Sequence, residues 1–330
     1  MSGAPVVPVV VVGAGISGVA CARALQAAGA PVRVVDRGYR IGGRMASKRL
    51  DDRAVDLGAS YFTVSDPAFE AVAADWRDRG LAEPWTDTFH VVDATAPGGA
   101  LEPKSGPVRW RAPGALRSLV EDLAAPLEVE RAEVAQVDRD ERGVLTVDGE
   151  PAAAVVLAMP DVQARRLLGP GLEGVGEQLT RDFEPVLALV ARFAERSWGF
   201  DGVFVNGDDD LAWIVDDGRR RGDDAPVLVA HTTPERAAHH LEDPEGAGPL
   251  LVAALRRVLG LPEPESHVVK RWSLARPVGE REEPYLLAGG ENTETGLLGV
   301  CGDGWGPTPK VEGAYLSGHR LGQAFAERLA

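Results

Sequence analysis

A valine-rich run over residues 5–12 closes on Gly13, Gly15 and Gly18, and this junction constrains the fold more than any other stretch. An apolar run without polar alternation predicts a strand buried on both faces, as in parallel sheets. In the G-x-G-x-x-G spacing, Gly13 permits a tight turn and Gly15 lets the backbone approach a pyrophosphate at the N-terminus of the next helix. Gly18 lets that helix pack closely on the strand. An alanine-rich helix is expected to about Ala28, ended by Gly29, and then a second strand, Val32 to Val35, finishing at Asp36, 18 residues beyond Gly18. The Asp36 carboxylate suits a ribose with free hydroxyls. Together these argue for dinucleotide binding, with Ile16 and Ser17 inside the turn and Arg37 after the acid as further contacts. A glycine-rich turn opening an ordinary α/β protein is the plain alternative.

The next segment bears on which dinucleotide. DRGYRIGGRMAS, residues 36–47, sets Gly42, Gly43, Arg44 and Met45 close after Asp36. A second glycine turn there brings backbone N–H groups and Arg44 to the same pyrophosphate. A chain that binds NAD alone usually continues into an ordinary crossover at this point.

Periodicity predicts helices over 68–79 and 115–124 and strands over 133–138, 143–148 and 153–158. GPGLEG, residues 169–174, reads as a crossing point between domains. Beyond it, strands are expected over 183–193, 203–205, 211–215, 227–230 and 267–275, with Gly/Asp-rich turns, as in a mostly antiparallel sheet. Helices are expected over 234–240 and 248–259. A buried strand over 297–300 and a helix over 310–329 then return to the character of the N-terminal region.

With 330 residues, 45% hydrophobic and 26% charged, the chain has globular composition and room for two domains. A formal charge of -15 and the lack of a large Lys/Arg block argue against nucleic acid. The acidic surface disfavours anionic substrates at long range, although a local arginine cluster in a cleft reverses that. The run Gly218, Arg219, Arg220, Arg221 precedes Asp223 and Asp224 and reads as a solvated loop. Cys21 and Cys301 read as buried free thiols. No metal spacing is present, and His90, His231, His239, His240, His267 and His319 offer no catalytic pair. The N-terminal apolar run lacks a basic region before it and leads into the glycine turn, so it is expected to be a strand rather than a signal peptide. No stretch reaches the length of a membrane span, and the expected location is the cytoplasm.

The pairing of G-x-G-x-x-G with GGRM resembles the amine-oxidase superfamily of FAD enzymes, and its renalase-like branch most. DLGASYFT at 56–63 is similar to that branch's D-x-G-A-Q-Y-F-T, and AMPDVQARRLL at 158–168 to its apolar strand ending in A-x-P-x-x-Q. KRWSLARP at 270–277 resembles H-R-W-x-Y-A-x-P, and CGDGWGPTPKVEGAYLSG at 301–318 resembles the C-terminal flavin motif. The resemblance implies an α/β fold: an FAD-binding Rossmann-like domain of amine-oxidase/hydroxylase type with an inserted mixed, mostly antiparallel substrate domain. The FAD-binding domain is expected over residues 1–75, 106–165 and 288–330, and the substrate domain over 76–105 and 166–287. The implied cofactor is non-covalent FAD, held by Gly13, Gly15, Ile16, Ser17, Gly18, Asp36, Arg37, Gly43, Arg44, Met45, Gly58, Ala59, Ser60, Val134, Gly302, Asp303, Lys310, Val311, Glu312 and Ala314. Asp303 is expected on the ribityl or pyrophosphate side and Val134, within its strand, at the adenine. The helix from Lys310 or Val311 would point its positive end at the flavin's pyrimidine edge, favouring the anionic reduced form. Trp305 is expected near the flavin and Trp198 in a core.

Trp272 and Tyr61 are the candidate pocket walls, suited to a flat ring, and Ser60 and Lys270 complete the set. Ser60, Lys270 and Leu274 stand where the branch has Gln, His and Tyr. PVLALVARFAERSW resembles the strand that carries an active-site lysine in the amine oxidases, and the matching position is Ala188. The resemblance therefore implies hydride transfer from a small molecule to flavin N5 and reoxidation by O2 to hydrogen peroxide. The expected substrates are 2- or 6-dihydro isomers of NAD(P)H, with Lys270 and Arg271 near the phosphates. An amine oxidase or other small-molecule oxidase or desaturase, a non-catalytic flavin-binding protein and, more distantly, an NAD-dependent dehydrogenase stay open. The expected oligomeric state is a monomer or homodimer.

Overall fold

The computed structural model describes residues 7–50, 52–96, 99–289 and 296–329. Residues 5 and 6 of the expected first strand lie outside the described residues. By contact density the chain divides into two compact units. The first comprises Met1–Gly43, Val120–Phe183 and Pro277–Ala330; the second comprises Arg44–Leu119 and Glu184–Arg276.

In the first unit a six-stranded sheet runs in the order Leu286–Ala288, Leu297–Cys301, Ala154–Ala158, Val9–Val12, Val32–Asp36, Val129–Arg131. Its central pairs are parallel, Val9 opposite Ala154 and Val32 and Ala154 opposite Leu297. Val9–Val12 is buried along its whole length, as the unbroken valine run requires. Gly15 stands at the start of the helix Ile16–Ala27, whose N-terminus no side-chain hydrogen bond caps. The helix Val311–Leu329 packs on Ile16–Ala27 so closely that a Cβ on Gly318 would stand 1.8 Å from the Ser17 carbonyl oxygen. Cys21 and Cys301 are buried free thiols, and burial pushes the Cys301 thiol up to about 12.

Two expectations fail in this unit. Residues 133–138 form no continuous strand: strands end at Arg131 and resume at Val137, and Val134 lies between them. The Asp148 carboxylate accepts the N–H groups of Ala135 and Gln136 at 2.9 and 2.8 Å, satisfying them without a neighbouring strand. Residues 169–174 are not a crossing point. Pro170–Leu172 forms a 3₁₀ turn, continued by the helix Glu173–Gly176, and Leu172 and Val175 enter this unit's core.

The second unit is built on an eight-stranded sheet, ordered Ser266–Pro277, Phe183–Arg192, Val227–Thr232, Leu211–Asp216, Gly202–Asn206, Glu83–Asp93, Glu102–Arg111, Phe62–Thr63. It is mixed and mostly antiparallel, with one parallel pair where Val203 lies opposite His90. Side chains alternate between its faces. Leu187, Leu189, Leu228, Ala230 and Ile214 enter one core with the helix Gly248–Leu259. Ala188, Val190, Val229 and Trp213 face the other way, with Val55 and Leu57. Trp198 is core, as expected.

The sequence reading sets the first domain change at 75/76, whereas the first compact unit's opening segment ends at Gly43. The chain from Arg44 onward is tied to the second sheet, where Phe62 and Thr63 pair with Trp110 and Arg109. The second unit also overturns the solvated-loop reading of 218–221. Residues Asp217–Arg221 form a short helix capped by Asp216, and Arg220 and Arg221 are 1% and 9% exposed. Their burial is possible because Asp217, itself fully buried, pairs with Arg220 and Arg53, and buried Asp56 pairs with Arg221.

Candidate cofactor and substrate sites

In the first unit the two glycine turns meet. The Gly42 N–H donates to the Ala14 carbonyl at 3.0 Å, and a Cβ on Gly43 would stand 3.3 Å from the Gly15 Cα. Gly13 holds φ +108, which only glycine adopts readily, and a Cβ there would press on the Ala158 carbonyl at 2.6 Å. Beside Gly15 nothing lies within 4 Å of a Cβ position except Gly43. The uncapped N-terminus of a 12-residue helix thus opens between two glycine turns, which is the cradle that a pyrophosphate needs. Ile16 and Ser17 are buried within that first helical turn.

The Asp36 carboxylate accepts the N–H groups of Ala14 and Gly38, both at 2.7 Å. Asp36 therefore braces the glycine turn, an occupation that the sequence did not announce, and its remaining lone pairs stay available to a ribose. Arg37 reaches Glu133 at 3.6 Å, with both side chains largely exposed. Val134 is 8% exposed, in the loop that follows the edge strand.

At the C-terminal motif, Gly302 donates to the Ser317 hydroxyl at 3.1 Å. Asp303 and Val311 are half-buried, Lys310 is exposed, and Glu312 and Ala314 are buried at the start of the long helix. Arg181 and Arg281 hold the 302–306 turn. Arg181 donates to the carbonyls of Gly304 at 2.7 Å and Val278 at 3.0 Å, while Arg281 lies 3.9 Å over the Trp305 ring and pairs with Asp161 at 2.9 Å. Neither arginine was singled out from the sequence. Trp305 is buried and its indole N–H has no partner among the described residues, a group left over for a ligand on this turn.

In the second unit, Leu57–Tyr61 is the hub. The Arg44 carbonyl accepts the Ala59 N–H at 2.9 Å, the Arg44 guanidinium donates to the Ala275 carbonyl at 3.2 Å, and Met45 is buried. Gly58 passes so close to the Arg44 carbonyl that a Cβ there would stand 2.0 Å from its oxygen. The Trp272 indole N–H donates to the Leu57 carbonyl at 3.0 Å, and His231 Nε2 lies 3.1 Å from the same oxygen. Trp213 donates to the Ser60 hydroxyl at 3.3 Å, and Arg220 to the Ser60 carbonyl at 2.9 Å. The Tyr61 ring stands edge-on to Phe89 at 5.2 Å and Trp213 at 6.0 Å. Burial raises the Tyr61 hydroxyl, against the pull of Arg109.

Ser60, Tyr61 and Trp272 thus belong to one cluster. Lys270 shares the strand face of Trp272 by alternation and is exposed. Arg271 is on the opposite face and donates to the Leu241 carbonyl, which removes it from the pocket candidates. Ala188 is fully buried and directly opposite His231. His231, Trp213 and Arg109 escape a sequence reading because neither spacing nor a motif ties them to residues 57–61.

Burial, with Arg276 and Arg220 nearby, pulls His231 down to about 4. The imidazole is therefore neutral across the physiological range, with Nε2–H donating to Leu57. Its lowered value means that the folded state gains stability as pH rises from about 4 toward 6.5 and keeps it above that. A histidine NMR titration should show His231 moving only near pH 4. A midpoint near 6.5 for His231 would overturn this assignment.

Among the described residues no group of side chains is arranged to hold a metal ion, and no helix is long and apolar enough to cross a membrane. Residues 11–76 match the NAD(P)-binding Rossmann-like domain, and residues 101–324 match the family described as flavin containing amine oxidoreductase. Cyclohexylamine oxidase from Brevibacterium oxydans IH-35A superposes with a TM-score of 0.76 at 15% identity, covering 98% of this chain and 100% of that one. A redesigned putrescine oxidase superposes with a TM-score of 0.74 at 17% identity, over 98% and 99% of the two chains. These likenesses carry the fold, and the family match, over more than half of the chain, carries the class and its cofactor, FAD. The chain belongs to the flavin containing amine oxidoreductase family.

Proposed function

We propose that the chain is an FAD-dependent oxidase of a small substrate with a flat ring, and that 2- or 6-dihydro isomers of NAD(P)H are oxidised to NAD(P)+. Dioxygen is the final acceptor in this reading, and hydrogen peroxide is the second product. The observation that carries it is the composition of one sheet face in the second unit: Ala188, Trp213, His231 and Trp272 offer aromatic surface, and the Lys270 amine that shares the face of Trp272 is exposed. FAD, when bound, supplies a two-electron acceptor at N5. The first unit is its holder, through the two glycine turns, Asp36, Val134, the 302–303 turn and the N-terminus of the helix from Val311. The second unit selects the substrate.

Within that reading each residue has a physical role. Trp272, fixed by its bond to Leu57, stacks on the ring; a held ring orientation is what a direct transfer needs. Tyr61 closes the side of the pocket, and Ser60 holds Trp213. Lys270 meets a phosphate at the rim. His231 is a neutral positioning group for Leu57, not a base, because its imidazole is already committed to that carbonyl.

Amine oxidation is the second reading. The family's description favours it, as do relatives named for putrescine and cyclohexylamine, and the same aromatic face would hold the apolar part of an amine.

Anaerobic stopped-flow absorbance separates the readings. The yellow protein is mixed in turn with 6-dihydro-NAD, 2-dihydro-NAD, ordinary NADH and a panel of primary and secondary amines. Rapid bleaching by a dihydro isomer alone, with NAD+ formed, is expected. Trp272→Ala should keep its FAD band and bleach about 10–100-fold more slowly, the loss of roughly 1.4–2.7 kcal/mol of transition-state stabilisation. Bleaching by an amine alone sinks the dihydro-NAD reading, and no bleaching at all leaves a flavin-binding protein.

A further inference from the structure

We propose that Arg109, with Tyr61, forms an oxyanion subsite in the second unit, taking a carboxylate or phosphate carried by the substrate. The proposal rests on the reading that this unit's aromatic face holds the substrate.

Arg109 lies in the strand Glu102–Arg111 and is 6% exposed. Its Nη1 donates to the Asp87 carbonyl, and its guanidinium carbon lies 4.0 Å from the Phe89 ring centre and 5.9 Å from that of Tyr61. The Nε–H is buried and has no partner among the described residues. No carboxylate among them is paired with this guanidinium. The Asp87 side chain is exposed and accepts the Thr88 hydroxyl at 2.7 Å.

A buried charge is costly unless it is paired and hydrogen-bonded. The other two buried arginines of this unit obey the rule: Arg220 faces Asp217 and Arg221 faces Asp56. Arg109 has cation–π contact with two rings and one carbonyl, which covers the plane of the guanidinium but leaves part of its donor edge unused. An oxyanion is the ligand that such an edge fits, bidentately and with charge neutralised. The Tyr61 hydroxyl, on the ring beside this guanidinium, has a proton to donate to the same oxyanion. Tyr61 in turn borders Trp213, so the anion would be joined to a ring lying on the aromatic face.

The test is calorimetric titration of the FAD-saturated full chain with benzoate, phenyl phosphate and benzamide, three ligands that share a ring and differ in charge. At least one oxyanion is expected to bind about tenfold or more tighter than benzamide, and the tighter of the two identifies carboxylate or phosphate. Arg109→Met should remove that preference while leaving benzamide affinity unchanged, and Arg109→Lys should restore part of it. Equal affinities in the wild type overturn the proposal, as does a preference that survives Arg109→Met. Should Arg109→Met not fold, Arg109→Lys and Tyr61→Phe decide: a preference unchanged in both overturns it. None of these ligands is oxidised, so failure here is independent of whether dihydro isomers bleach the flavin.

Discussion

Gly18→Val should purify colourless. A Cβ at position 18 would stand 1.9 Å from the Gly13 carbonyl oxygen and 2.9 Å from the Ala158 Cβ. The first neighbour is backbone and cannot swing aside, so the helix Ile16–Ala27 must lift from the strand Val9–Val12. Overpacking of this kind costs about 1–3 kcal/mol, and more where backbone must move. The larger loss is of ligand, because the lifted helix carries the N–H groups of Ile16 and Ser17 away from the turn of Gly42 and Gly43. In the wild type, FAD at a hundredfold excess over its Kd should add about 2.7 kcal/mol of stability. In Gly18→Val that increment should vanish, together with the flavin absorbance of the purified protein. Thermal melts with and without added FAD check both statements. Gly174→Ala, where a Cβ meets nothing within 4 Å, is the control expected to stay yellow. Full FAD retention by Gly18→Val would mean that the pyrophosphate is held elsewhere.

Much of this cradle was legible because each of its constraints is local. The strand over 9–12 is written as consecutive valines, the turn as glycines at fixed spacing, and the helix over 311–329 as apolar positions with helical period. The second sheet was legible only in part. Strands rich in Val, Leu and Ile at 183–192, 211–216 and 227–232 announce themselves, whereas the hairpin of Glu83–Asp93 and Glu102–Arg111 does not. Residues 102–108 are exposed throughout, so they carry charge and proline and show no alternation. The arginines at 220 and 221 misled for the same reason inverted: a charged run reads as solvated unless its counter-ions, 165 residues away in the case of Asp56 and Arg221, are known. The pocket candidates Ser60, Tyr61 and Trp272 came from motifs. Their partners Trp213, His231 and Arg109 have no motif, because they are brought to Leu57–Tyr61 by sheet register alone.

Asp217→Asn should be the most destabilising single polar substitution in the second unit. Asp217 is fully buried and pairs with Arg53 and Arg220, while Arg221 lies 3.7 Å away. Neutralising it leaves positive charge buried, with Asp56 as the remaining buried carboxylate to balance Arg220 and Arg221. Removing one partner of such a network costs about 3–5 kcal/mol. The same arginines fix the site: Arg220 donates to the Ser60 carbonyl, and Asp56 accepts the Ser47 hydroxyl at 2.8 Å and the Leu116 N–H at 3.2 Å. Leu57–Tyr61 should therefore loosen along with the fold, and Trp213 fluorescence should shift toward that of a solvated indole before global unfolding. Burial alone would raise the Asp217 carboxyl, but Arg220, Arg221 and Arg53 outweigh it and hold it below the ordinary 3.8. A depressed carboxylate stabilises the fold at all pH above its unfolded value and loses that contribution as pH falls through the folded one. The network should thus hold down to about pH 4 and fail below it. Denaturant melts at pH 7 and pH 3 should show a gap between wild type and Asp217→Asn at the first pH that narrows at the second. An Asp217→Asn melt indistinguishable from wild type at pH 7 would show that the arginines find their balance in solvent, and that the buried network is not what holds Ser60 in place.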